Sequence, residues 1–228
     1  MMKSLPISFT KAQRNLGWFW WIFQLLFLPV ILTEGNRYLG NPLSPAELNF
    51  LFFCLNFAGT SLILGRFTLL SCRHGLRRPF YTLQSAFLGF ALYWLVTILL
   101  GFGTKQLFPD YVNQNDTSIL HLLQQSPVLI TVGTTLLAPI AEELLYRGVI
   151  FGSLHNRSRI LAYAVSATLF SLVHILGFSQ DPVFFIVSFV NYLPAGVCLA
   201  WAYERSGSIL APLLMHIAIN QIGMQAMR

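Results

Sequence analysis

Three patterns with a four-residue spacing place ionisable or polar side chains inside apolar stretches of the chain: Glu142-Glu143-x-x-x-Arg147, Phe170-x-x-x-His174 and His216-x-x-x-Asn220. On a helix, residues four apart share a face, so three helices carrying these patterns are expected to line one polar cavity. Ionisable groups deep in a bilayer are costly and mark function by default. The chemistry they suit is peptide hydrolysis. A carboxylate in a dry pocket acts as a general base on water when a partner orients that water, and Glu142 with His174 fits this need. His216 and Asn220 are hydrogen-bond donors suited to a developing oxyanion. Glu143 points about 100° away from Glu142 around a helix and shares a face with Arg147. An ion pair there leaves Glu143 and Arg147 in a supporting role.

The elements that must position these groups are transmembrane helices. The chain has 228 residues, 55% of them hydrophobic and only 10% charged, which is too apolar for an ordinary soluble domain. Seven apolar runs stand out, at about 15–33, 48–65, 80–103, 128–154, 160–177, 183–203 and 209–225, each near the ~20 residues a spanning helix needs. The expected fold is therefore all-α: a polytopic membrane protein of about seven transmembrane helices in one membrane domain, residues 1–228, with the catalytic core in the C-terminal four. The first run follows a basic stretch without a small-x-small cleavage site, as a signal anchor would.

The formal net charge of +6 raises nucleic acid as a partner class, but the placement of the charges argues for a bilayer instead. With the N-terminus inside, the cytoplasmic segments hold Lys3, Lys11, Arg14, Arg66, Arg73, Arg77, Arg78, Arg157, Arg159 and Arg205, against Arg37, Lys105 and Arg228 outside. The acids Glu34, Glu47, Asp110, Asp116 and Asp181 fall outside and Glu204 inside. No nucleic-acid motif is present. The expected location is a bacterial inner (plasma) membrane with a cytoplasmic N-terminus. The polar connection 104–127 is expected at the outer surface with a short interfacial helix over Ile119–Gln124.

The segments Ala141-Glu-Glu-Leu-Leu-Tyr-Arg-Gly148, Phe170-Ser-Leu-Val-His174 and Ala202-Tyr-Glu-Arg-Ser-Gly-Ser-Ile-Leu-Ala-Pro-Leu-Leu-Met-His-Ile-Ala-Ile-Asn220 closely resemble the motifs of the CAAX protease and bacteriocin-processing (CPBP, or Abi) family. The resemblance covers roughly residues 128–223. It implies a helical intramembrane endopeptidase acting on a membrane-associated peptide or protein. Carried onto this sequence, it makes Glu142 and His174 the groups that activate water, and His216 and Asn220 the support for the oxyanion.

Two other readings compete. Glu142, His174 and His216 are a reasonable catalytic zinc set, although no His-Glu-x-x-His or other closely spaced ligand pair accompanies them; the favoured reading needs no cofactor. Alternatively, the polar cluster serves a non-catalytic immunity or transport protein. Among the remaining features, Trp18, Trp20, Trp21 and the Phe-rich stretches read as an interfacial anchor and lipid-facing bulk. Cys54, Cys72 and Cys198 read as packing residues, and Asn191 and Tyr203 as interhelical contacts. Ala195, Gly196 and Ala200 read as close-packing positions, and His74 and His155 need no role. Oligomeric state is not encoded in any pattern found.

Overall fold

The structure, a computed structural model, describes residues 5–177 and 181–227, so Lys3 and Arg228 lie outside the described residues. The described chain is all helical, with no strand: α1 (Lys11–Leu26), α2 (Leu28–Tyr38), α3 (Pro45–Leu76), α4 (Pro79–Leu107), α5 (Gln114–Gln125), α6 (Pro127–His155), α7 (Arg159–Val173), α8 (Pro182–Ser206) and α9 (Leu210–Ala226). Four of these, α3, α4, α6 and α8, are long and apolar enough to cross a membrane, and α1 with α2 makes a fifth if the pair, bent by 45°, is one span. The fifth and seventh expected runs fall on α7 and α9, which are shorter. A count of seven is compatible with this arrangement. Large apolar side chains such as Leu62, Phe87, Ile98 and Phe102 stand exposed, as expected where lipid rather than water is the outer solvent.

Local sequence sets the helix ends. Thr10 caps α1 and Ser44 caps α3, each in a capping box with the residue three positions on, Gln13 and Glu47; both orphan N–H groups are thereby satisfied. Asp181 Oδ1 accepts from the Val183 and Phe184 N–H groups at the start of α8. Its far end closes on Gly207 at φ 69°, a left-handed conformation that glycine adopts without strain. The α1–α2 bend sits at Phe27, two residues before Pro29, whose ring nitrogen cannot donate to the preceding turn. Asn113 caps α5, its Oδ1 accepting from the Asn115 and Asp116 N–H groups. That cap starts the helix at Gln114 and lengthens it beyond the expected Ile119–Gln124.

The central element is α6. Every residue from Glu143 to Phe151 is buried, because α1, α3, α7 and α8 surround it. Leu144, Leu145, Val149 and Phe151 pack against Leu64 and Phe67 of α3 and against Ala200 and Tyr203 of α8. Tyr146 and Ile150 pack against Phe170 of α7 and Met215 of α9. Trp18, Trp20 and Trp21 pack on these clusters as well, and Trp20 Nε1 donates to Asn56 (3.2 Å) and Thr60 (3.0 Å). The three tryptophans expected as an interfacial anchor are half-buried against the bundle, and the Trp20 indole N–H is shared between two polar partners on α3. His155, expected to need no role, is 2% exposed and meets Glu204 at 2.9 Å. Glu204 also takes both arms of Arg159 and the Tyr163 hydroxyl, tying α6, α7 and α8 together at one end.

At Gly196, α8 lies so close to α7 that a Cβ would sit 2.8 Å from the Ala167 Cα. Gly196→Ala is expected to lower stability by about 1–3 kcal/mol through overpacking, read as a fall in thermal midpoint in lipid nanodiscs. Gly35→Ala, whose Cβ meets nothing within 4 Å, is expected to leave the midpoint unchanged or slightly raised.

On α5, burial pushes the Asp116 carboxyl up to about 6. Because the folded chain holds this proton more tightly than the unfolded one, the stability it confers is full below the ordinary carboxylate range and is lost as pH rises through about 6. Relative to Asp116→Asn, the wild type is expected to lose about 1.4 kcal/mol between pH 5 and pH 8. Parallel thermal melts across that range check it, and parallel pH profiles in the two proteins would refute it.

Candidate active site

Helix α6 has two wide, π-type segments, Gly133–Leu137 and Glu143–Phe151; Glu142 lies between them, and Glu143 and Arg147 lie in the second. Pro139 lacks an N–H, and its ring crowds the carbonyl one turn back; the first wide turn ends at Leu137, two residues before it. Wide turns in an otherwise regular helix rotate the side chains that follow and gather at functional sites. Here they flank Glu142.

The two adjacent glutamates meet different surroundings. Glu143 is fully buried; its Oε1 accepts from Arg147 Nη1 (2.9 Å) and from His216 Nδ1 (2.7 Å). Arg147, also fully buried, donates through Nη2 to the Gly196 carbonyl (3.3 Å) and lies over the Phe170 ring at 4.3 Å. One cation on α6 thus reaches α7 and α8, while its carboxylate partner reaches α9. Glu142, by contrast, has no hydrogen bond to its Oε2 among the described residues, although that atom is buried. The His216 Nε2 lies 3.8 Å from that oxygen.

His174 stands at the C-cap of α7. Its Nδ1 lies 2.7 Å from the Phe170 carbonyl, so Nδ1 carries the proton and Nε2 keeps its lone pair. His216 has the same polarity in its neutral form, with Nδ1–H directed at Glu143. The Glu143 carboxylate also compensates a positive ring when Nε2 is protonated, as a carboxylate does behind a catalytic imidazole. Asn220 Nδ2 donates to the Thr134 carbonyl at 2.8 Å, which leaves the second N–H of that amide for another acceptor.

Glu142, His174, His216 and Asn220 line a single cavity of about 1390 Å³, whose wall also includes Thr134, Phe170 and Tyr192. Glu143 and Arg147 are not part of that wall. All six residues singled out by spacing are thus near one another, in two layers: four facing the cavity and two behind. Glu142 and His174, expected as a pair, share the cavity without a hydrogen bond between them. Among the described residues, no group of three or more His, Cys, Asp or Glu side chains is arranged to hold a metal ion; Glu142, His174 and His216 do not converge as a ligand set.

Sequence reasoning assigned no role to several residues that shape the site. Phe170 is the aromatic face shared by Arg147, His174 and His216. The Thr134 carbonyl orients Asn220, and Tyr192 stacks on His174 with ring centroids 4.8 Å apart. The carbonyl contacts leave no mark in the sequence. Tyr192 does leave a weak one, as a polar-tipped residue beside Asn191 in an apolar run.

Comparison with known proteins bears on this arrangement. Residues 124–222 match the family model described as type II CAAX prenyl endopeptidase Rce1-like. The chain is 30% identical over 154 residues to the UPF0177 protein YxdF of Lactococcus lactis, covering 67% of this chain and 79% of that one. It is 27% identical over 147 residues to the membrane-embedded CAAX protease MroQ of Staphylococcus aureus, covering 61% and 56%. To the putative membrane peptidase YdiL of Bacillus subtilis it is 28% identical over 109 residues, covering 47% and 41%. The matched region thus spans about half the length of these last two relatives. No solved structure is similar at a significant level. A bundle of apolar helices around a Glu/His/Asn cavity, the match over the region holding all three motifs, and these relatives agree: the chain is an integral membrane protein of the CAAX protease and bacteriocin-processing family.

Proposed function

We propose that this protein is an intramembrane endopeptidase that hydrolyses a membrane-associated peptide or protein by glutamate-activated water. The observation that carries the reading is the convergence of Glu142, His174, His216 and Asn220 on one cavity, with the buried Glu142 Oε2 lacking a partner. Water held between Glu142 and the free Nε2 of His174 loses its proton to Glu142 as it attacks the scissile carbonyl. The carbonyl oxygen becomes an oxyanion that accepts from the spare N–H of Asn220 and from Nε2 of a protonated His216. Glu142 then returns the proton to the leaving amine. Glu143 and Arg147 support this by holding His216 and balancing charge behind it. A bacterial plasma membrane with the N-terminus in the cytoplasm is the location favoured by the distribution of Lys and Arg.

The test compares the membrane peptidome of cells carrying the active protein with that of cells carrying Glu142→Gln. Loss of the base is expected to reduce processing by about 10²–10⁴-fold, and His174→Ala is expected to do the same. Processing that survives in Glu142→Gln, His174→Ala and His216→Ala alike would reject a peptidase in favour of an immunity or transport role. Stoichiometric zinc in the purified chain, together with chelator-sensitive cleavage, would replace the glutamate mechanism by a metal-dependent one.

A separate prediction concerns the supporting layer. Arg147→Met leaves Glu143 buried without its cation and is expected to cost about 3–5 kcal/mol, measured by denaturation in nanodiscs. Arg147→Lys keeps the charge but not the planar fork that reaches both Glu143 and Gly196, so its loss is expected to fall in between.

A further inference from the structure

His174 occupies a poorly supported place in the fold. It is the first residue past the last full turn of α7, and the chain leaves it through a turn to Gly177 at φ 89°. A side chain inside a helix is held by neighbours on both sides along the axis, whereas one at the C-cap has neighbours on one side only. The Phe170 carbonyl fixes the Nδ1 proton, and the Phe170 ring lies 4.6 Å from the imidazole. Both contacts come from the same helix end and move with it.

The remaining support comes from elsewhere in the chain. The Tyr192 ring of α8 stacks on the imidazole at 4.8 Å with an interplanar angle of 26°. Its hydroxyl takes a hydrogen bond from Asn115 Nδ2 (3.1 Å) and meets the Asn113 side-chain amide, 3.2 Å from Nδ2 and 3.3 Å from Oδ1. Asn113 is itself fixed as the cap of α5. That helix is anchored by Leu123, which packs with Ala46, Ile130 and Met224. A continuous set of contacts therefore runs from the anchored α5 cap through Tyr192 to His174.

We infer that Tyr192 is the positioning residue of His174, with Asn113 and Asn115 as the clamp that holds Tyr192 in place. The inference rests on the peptidase reading for the role of His174, but the contact chain is separable from it. An aromatic face stacked on the imidazole at 26° restrains rotation of the ring that carries Nε2 into the cavity wall. The hydroxyl clamp restrains the aromatic face in turn. The polar connection before α5 is then part of the catalytic apparatus without touching the reacting atoms.

Two measurements on the full chain in nanodiscs test this. In the first, long-range nitrogen–proton NMR of ¹⁵N-histidine-labelled protein reads the imidazole tautomers directly. The wild type is expected to show His174 fixed with the proton on Nδ1. Tyr192→Leu is expected to give averaged or broadened His174 signals while those of His216, held by Glu143, stay in place and so report an intact fold. Tyr192→Phe and Asn113→Ala/Asn115→Ala are expected to fall between. An unchanged His174 pattern in Tyr192→Leu overturns the inference; if that variant fails to fold, an unchanged pattern in Asn113→Ala/Asn115→Ala does so.

In the second, cleavage of a peptide found in the peptidome comparison is expected to show kcat lowered about 100-fold in Tyr192→Leu and about 3-fold in Tyr192→Phe, with KM within about 2-fold of wild type. Wild-type kcat in Tyr192→Leu, with activity abolished in His174→Ala, rejects the positioning role and leaves the peptidase standing. Activity that survives His174→Ala rejects the catalytic role of His174, while the NMR pattern still decides whether Tyr192 holds the ring.

Discussion

The buried contact of Glu143 with Arg147 and His216 is the constraint on which the rest of this bundle depends. Two charges and an imidazole are withdrawn from solvent, and such a group persists only where each member is compensated by another. Arg147 is held by three different elements through its Nη atoms and its guanidinium face: Glu143 on its own helix, the Phe170 ring on α7 and the Gly196 carbonyl on α8. Glu143 adds α9 through His216. Helices that meet only through apolar side chains slide and rotate with little penalty in lipid, because lipid tails are as apolar as leucine. A shared cation does not allow this. The node therefore fixes the relative rotation of the four helices that carry the cavity residues.

This geometry explains why small residues occur where they do. Arg147 reaches the Gly196 carbonyl only because α8 comes close, and α8 comes close to α7 only because position 196 has no side chain and faces Ala167. Ala195 and Ala200 belong to the same compact stretch of α8. The tight packing and the buried charge are thus one arrangement, in which close approach of backbones supplies the acceptor that the cation needs. At the other end of the bundle, the ion and hydrogen-bond cluster around Glu204 binds the same helices, α6, α7 and α8. Along α6 the order is cavity wall (Thr134, Ala138, Glu142), then the Glu143–Arg147 node, then His155 in the Glu204 cluster, so both polar fastenings lie to the same side of the cavity.

The expected all-helical membrane fold and the grouping of the six polar residues could be read from the sequence because both follow from short-range rules. Apolar runs of bilayer length report spans, and a spacing of four reports a shared face. The pairing of Glu143 with Arg147 is of this kind, and its distance of 2.9 Å agrees with the expectation. The contact of Glu143 with His216 is not, because it joins positions 73 residues apart, and no periodicity within one helix encodes the rotation of another. For the same reason the hydrogen bonds of Trp20 to Asn56 and Thr60, 36 and 40 residues away, leave no pattern in the sequence. The wide turns of α6 were also hidden. Pro139 signals a disturbance in the helix, but proline composition does not say whether the helix kinks, breaks or widens.

Neighbouring positions 142 and 143 carry the same side chain, and the structure separates them by the direction each faces. Glu143 points into the packed layer, where Arg147 and His216 engage its Oε1 and make it part of the scaffold. Glu142 is turned to the cavity, where its buried Oε2 has no hydrogen-bond partner and the His216 Nε2 is 3.8 Å away. In a low-dielectric environment an unsatisfied carboxylate oxygen costs free energy, so a chain selected for stability alone would replace it by an apolar residue. Glu143 Oε2 is likewise buried without a hydrogen bond, so what separates the two is that Glu143 holds Arg147 and His216 through Oε1 whereas Glu142 stands on the cavity wall. The proposed mechanism needs a general base that faces the substrate with lone pairs free for a proton that arrives only during the reaction, and of the two glutamates only Glu142 lines the cavity.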